Sequence, residues 1–245
     1  MDKKLTFTGH LEEFRQRLLV TLVVLLTITG VAFNHVDKIL LVLKAPAAGS
    51  IDKLVFFSPT EAFLVYFKIA FLTAVMLSSP LIFYQVWAFV SPAIGEDVKK
   101  RGGIFLVLTV LAFLAGVSFG YFMLLPAAIK FLIGFSGGVL VPMISVGEYT
   151  SFVIGLLLGC GLVFEMPVLS FLLAKAGVLQ YWFLRKNWKY AVIIIFIVAA
   201  IVTPTPDAFN MTLLAIPMLI LYEISIWVVK FNGKDASHQK DEAHE

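Results

Sequence analysis

Cysteine and charge are what this sequence has least of. A single cysteine, Cys160, among 245 residues excludes an intramolecular disulfide and any cysteine-built zinc cage. It stands in an apolar run, where a buried packing thiol is expected. Asp, Glu, Lys and Arg together make up only 14% of the chain, against about a quarter in soluble proteins. A net charge of +3 gives no reason to expect a nucleic-acid partner. Two of the four histidines fall in the polar stretch after Phe231, and no His-Glu-x-x-His pattern occurs, so neither a metal site nor a cofactor is expected. Gly-x-Ser-x-Gly, a phosphate-cradling glycine loop and an aspartate pair within one apolar run are missing as well. The chain does not read as an enzyme. No small-residue cleavage site follows the charged N-terminus, so no cleavable signal peptide is expected.

What is abundant is hydrocarbon. The chain is 60% hydrophobic and holds 23 phenylalanines, more than one small core needs. A helix crossing a hydrocarbon layer of about 30 Å needs roughly 20 apolar residues. Six runs answer to this: Leu18–Phe33, Ala62–Val90, Ile104–Leu125, Ser151–Ala174, Tyr190–Val202 and Phe209–Val229. Backbone polar groups in lipid must be satisfied within a segment, so the runs are expected as helices. The fold class is therefore all-α, a six-span integral membrane protein over residues 1–231, with a polar, disordered tail over 232–245.

Basic residues orient it. About 14 lysines and arginines fall on one side, among them Arg15, Arg17, Lys99, Arg185 and Lys230, against about four on the other (Lys38, Lys44, Lys53 and Lys130). The positive-inside rule then puts both termini in the cytoplasm. The fifth run has only about 13 residues, and Asn210, Thr212, Pro217 and Glu223 interrupt the sixth. Two short spans would thin the bilayer locally. The extracytoplasmic loops, 34–61 and 127–148, are long enough to carry short helices capping that face.

Two places could carry chemistry. Between Gly9 and Leu18, the residues Leu11, Phe14 and Leu18 recur at helical spacing, while His10, Glu13 and Arg17 share another face. The plainer reading is a solvated interfacial turn with local ion pairs; the sharper one is a carboxylate offered to a basic partner. The second place is Glu165, inside the fourth run ahead of Pro167. A charge there costs at least a few kcal/mol, which makes it a functional candidate by default. Lys68, in the second run, reads first as a lysine snorkelling to the interface.

These segments, taken together, resemble the TatC family, the multi-spanning receptor subunits of the twin-arginine protein translocase. The resemblance is carried by His10-Leu11-x-Glu13-Phe14-Arg15-x-Arg17, Ser58-Pro59-Thr60-Glu61-Ala62-Phe63, and Tyr84-Gln85-Val86-Trp87 through Ser91-Pro92. Phe164-Glu165-Met166-Pro167, Thr203-Pro204-x-Pro206-Asp207 and Leu214-Ala215-Ile216-Pro217 continue it in order along the chain. It implies a glove-like concave arrangement of the six helices in a bacterial-type plasma membrane. It also implies binding of twin-arginine signal peptides of folded precursors, assembly with single-span TatA- and TatB-type subunits and with further copies of itself, and transport driven by proton-motive force. By position it implies that Glu13 contacts the paired arginines, with His10, Arg15, Arg17 and Gln85 shaping that site. The family's second carboxylate lies in the loop after the second span. Here Val98 takes the usual acidic position, so Glu96 or Asp97 substitutes, Glu96 being favoured. The resemblance also marks Pro46, Phe63 and Asp207 on the outer face as structural or partner contacts, and Glu165 as an intramembrane polar site facing the concave side.

A different class remains open on residues alone. A proton-coupled secondary transporter would use Glu165 as proton site and Lys68 as counter-charge. The absence of repeat symmetry between the two halves counts against it. So does the single buried acid.

Overall fold

A computed structural model describes residues 7–49, 51, 53–91, 102–134, 143–203 and 207–232, with side chains from Leu11 to Phe231. Helix α1 (Phe7–Phe33) opens the chain and α2 (Val36–Lys44) follows, ending in a 3₁₀ turn over Ala45–Ala47. Next come the two-residue strand β1 (Leu54–Val55), α3 (Pro59–Val90) and α4 (Gly102–Phe119). Helix α5 (Leu125–Gly134), strand β2 (Ile144–Ser145), α6 (Val146–Phe164) and α7 (Met166–Lys175) come next. The short α8 (Tyr181–Lys186), α9 (Trp188–Val202) and α10 (Ala208–Asn232) complete the order.

Among the described residues, five stretches are helical, long and apolar enough to cross a membrane: Leu11–Phe33, Pro59–Val90, Gly102–Gly134, Val146–Lys175 and Ala208–Phe231. The remaining apolar helix, α9, has 15 residues, about 22 Å at 1.5 Å per residue. Of the two spans expected to be short, only this one is. Helix α10 runs straight through Pro217 and reaches 25 residues, so its polar residues sit on a continuous helix and do not interrupt it.

Prolines account for the other departures from the expected boundaries. Pro126 cannot donate to the carbonyl of Phe122. The chain answers with a π turn over Gly120–Leu124, where the Leu125 amide reaches back to the Gly120 carbonyl. The helix thereby continues to Gly134, through residues expected to lie in a loop. Pro80 likewise removes a donor to the Met76 carbonyl inside α3, and the Ser79 hydroxyl supplies one at 2.8 Å. At Pro167 the helix breaks instead. Helix α6 stops at Phe164, Glu165 sits in the break, and α7 starts at Met166.

Packing centres on α6. It lies against α3, α4 and α7, while α10 packs on α7 and α9, and α1 rests mainly on α3. Ile69 of α3 and Val153 and Leu157 of α6 are fully buried, as are Leu214 and Met218 of α10. Two glycines permit the close crossings. A Cβ on Gly116 would come within 2.5 Å of the Cys160 carbonyl, and one on Gly159 within 2.1 Å of Val202. Cys160 itself is buried there, as its apolar run suggested.

Candidate functional site

The two ends of the bundle differ in how their polar groups are spent. At one of them, the basic end, α1 begins and α3 finishes. Glu13 and Arg17 stand one turn apart on α1, and an i, i+4 spacing brings their side chains together. Arg17 gives two bonds to one oxygen of Glu13, from Nη2 at 2.6 Å and Nε at 3.0 Å. Its Nη1 donates to Gln85 Oε1 of α3 at 3.0 Å. Both partners of the ion pair are about one-quarter exposed, which shelters it from full solvent screening. The other oxygen of Glu13 accepts no bond among the described residues. Below this cluster Phe14 tilts against Phe89 with ring centres 5.5 Å apart, holding α1 on α3.

Arg15, on the same turn, points elsewhere. It meets Glu12 at 3.9 Å with both side chains about three-quarters exposed, a pairing worth little. The side chain of His10 and all of Glu96 and Asp97 lie outside the described residues. Thus the structure brings together Glu13, Arg17 and Gln85 from the residues singled out in the sequence.

Glu165 is enclosed in the break between α6 and α7, only 4% exposed. One of its carboxylate oxygens has no hydrogen-bond partner among the described residues. Lys68 does not pair with it. The lysine ammonium donates to Ser151 of α6 at 2.9 Å, and no ion pair joins Lys68 to any carboxylate among the described residues.

The opposite, capping end is stitched together. The sequence Ser58-x-x-Glu61 is a capping box at the start of α3: the Ser58 hydroxyl accepts from the Glu61 amide at 3.2 Å. The Glu61 carboxylate then accepts from the Phe57 amide at 2.8 Å, the Gly147 amide at 3.0 Å and the Ser145 hydroxyl. Ser145 caps α6 in turn, through the amides of Gly147 and Glu148. One carboxylate therefore ties two helix N-termini together, where the helix dipole favours negative charge. Strands β1 and β2 pair in parallel beside it, Leu54 with Ile144 and Val55 with Ser145. Tyr121 and Tyr149 donate to the Val42 and Leu43 carbonyls at the end of α2, at 2.6 and 2.7 Å. Tyr66 binds Asp37 of the same helix.

Three more singled-out residues lie on or near this capping end. Pro46 is half-buried in the 3₁₀ turn after α2. Phe63 is 63% exposed, its ring 6.3 Å from Phe33. Asp207 caps α10, accepting from the Asn210 amide at 2.7 Å and its side-chain nitrogen at 2.9 Å. Glu61 stood only within the motif that opens the second span, with no role assigned, and the two tyrosines were not singled out. The capping-box spacing could have flagged Glu61, but nothing in the sequence names Gly147 and Ser145 as its partners.

A family model described as Sec-independent protein translocase protein (TatC) matches residues 9–217 of the chain. A protein of Carboxydothermus hydrogenoformans named Sec-independent protein translocase protein TatC is 39% identical over 94% of this chain and 95% of its own. One of the same name from Koribacter versatilis is 39% identical over 99% of this chain and 92% of its own. A crystal structure described as the twin arginine translocase receptor TatC superposes with a TM-score of 0.81 at 37% identity, covering 91% of this chain and 99% of that one.

Proposed function

Since the chain belongs to the TatC family of Sec-independent protein translocase proteins, we propose that its basic end is the receptor surface for twin-arginine signal peptides. The observation that carries this is Glu13: a carboxylate fixed through one oxygen by Arg17, with the other open among the described residues. A planar guanidinium can engage that open oxygen, or displace Arg17 and take both, which the point charge of a lysine cannot reproduce. Gln85 holds Arg17 from α3, so the carboxylate is oriented before a peptide arrives. Glu96 or Asp97, in the loop after α3, supplies the second carboxylate for the paired arginines. The basic end faces the cytoplasm, following the lysine and arginine asymmetry, so both termini are cytoplasmic and the membrane is the bacterial inner membrane.

The protein works by binding and assembly, without covalent chemistry. Folded precursors are its cargo, single-span TatA- and TatB-type subunits and further copies of itself its partners, and the proton-motive force its energy source. The 15-residue α9 locally thins the bilayer beside the peptide's apolar segment. Glu165 serves as an intramembrane polar contact for the peptide or a partner helix.

The test is photo-crosslinking of a twin-arginine peptide to full-length protein. Glu13→Ala is expected to lose most of the crosslink, and Glu12→Ala, whose carboxylate is solvated and weakly paired, to keep it. Equal losses would mean diffuse charge attraction and no site. The carrier reading is separable: it requires substrate-dependent proton flux into liposomes, abolished by Glu165→Gln.

A further inference from the structure

A trough of about 520 Å³ runs between α1 and α3 from the basic end inward. Phe14, Leu18, Leu22 and Leu25 of α1 form one wall, Ile82 and Phe89 of α3 the other. Among the described residues its only charged lining group is Arg17, at the mouth with Gln85. Only 11% of the α1 span is buried in the protein, and Leu18 and Leu22 remain about half exposed. No described residue of this chain covers these side chains.

Three features identify the occupant. The first is depth: Arg17 and Leu25 are eight residues apart, about 12 Å along a helix. One leaflet of hydrocarbon is about 15 Å deep, so the trough reaches through most of one leaflet and stops. The second is width. A single alkyl chain fits within the trough, whose walls are apolar side chains along its length. The third is charge. Of the five N–H donors of a guanidinium, three are taken by Glu13 and Gln85. Two remain without a partner among the described residues, one on each terminal nitrogen. Two donors on adjacent nitrogens suit a phosphate.

We propose that the trough holds one acyl chain of a phospholipid from the leaflet at the basic end, with the lipid phosphate on Arg17. The lipid is then part of the wall against which α1 is positioned. The site goes beyond the peptide reading and stands apart from it: loss of the lipid leaves the open oxygen of Glu13 in place.

The test is native mass spectrometry of full-length protein from nanodiscs of defined phospholipid. Wild type is expected to retain one phospholipid after extensive detergent washing. Leu25→Trp, which fills the inner end of the trough, is expected to retain none. Leu111→Trp, which adds the same bulk on the exposed face of α4, is expected to keep it. Should Leu25→Trp lose its helical circular dichroism, Thr21→Phe fills the middle of the same trough. In a second arm, phosphate-free diacylglycerol is expected to bind about tenfold more weakly than phospholipid to wild type, and equally to Arg17→Gln. Retention unchanged by either filling variant would overturn the proposal, as would equal binding of diacylglycerol and phospholipid to wild type. So would a twin-arginine peptide whose apolar segment crosslinks to position 22 while no lipid is retained. Peptide affinity is read separately, so failure of this site and failure of the receptor reading give different results.

Discussion

The capping end and the basic end use the same chemistry to opposite purposes. At the capping end the Glu61 carboxylate accepts from two backbone amides and a hydroxyl, and every one of those donors belongs to this chain. At the basic end Glu13 has a single partner among the described residues, Arg17, which leaves one oxygen open there. A carboxylate whose acceptor capacity is used internally is part of the scaffold. One held in place but half used is available to a ligand. The contrast separates two acidic residues that composition alone treats alike.

The largest effect is expected where the stitching is densest. Glu61→Ala leaves the Gly147 amide and Ser145 hydroxyl without their shared acceptor and frees the start of α3 from that of α6. It should lower the thermal midpoint more than any single change at the basic end, with faster hydrogen exchange at β1 and β2. Peptide affinity should change far less. The reverse pattern is expected for Glu13→Ala. A hydrogen bond to a charged group is worth about 1.5–3 kcal/mol, so peptide affinity should fall about tenfold or more while the midpoint barely moves. Should both substitutions shift both quantities together, the division between scaffold and site would be lost.

Smaller changes sharpen the contrast. Tyr149→Phe removes one buried hydrogen bond to the Leu43 carbonyl and should cost about 1 kcal/mol of stability in a denaturant titration, with no effect on peptide binding. Gln85→Ala frees Arg17 from α3 and should weaken peptide binding about two- to threefold by fluorescence anisotropy, since the carboxylate is then less well oriented. Arg15→Gln disrupts only a solvated 3.9 Å pair and should leave stability unchanged.

The sequence carried information of two ranges, and only the short range was readable. Helices followed from apolar runs, and the pairing of Glu13 with Arg17 follows from a four-residue spacing on one helix. The break at Glu165 was foreshadowed by Pro167. Contacts across the chain were not readable: Gln85 is 68 positions from Arg17, and Ser145 is 84 from Glu61. Neither separation leaves a periodic trace. Local repairs were hidden too. The π turn before Pro126 keeps a helix going where a long stretch mixing proline and glycine with hydrophobic residues was expected as a loop. Continuity of α10 through Pro217 was equally hidden, because polar residues along a helix and polar residues at its end look alike in one dimension. The resemblance to a known family supplied the positions of Pro46, Phe63 and Asp207; the structure adds that Asp207 caps α10, that Phe63 is exposed and that Pro46 is half-buried.

The receptor reading rests on a preference for guanidinium over ammonium at one carboxylate. It is tested most directly by measuring, in nanodiscs, the affinity of full-length protein for a twin-arginine peptide and for its twin-lysine counterpart, in wild type and in Glu13→Gln. The expected result is a clear preference for arginine in wild type that collapses in the variant. Equal affinity for the two peptides in wild type, or a preference untouched in Glu13→Gln, would contradict it.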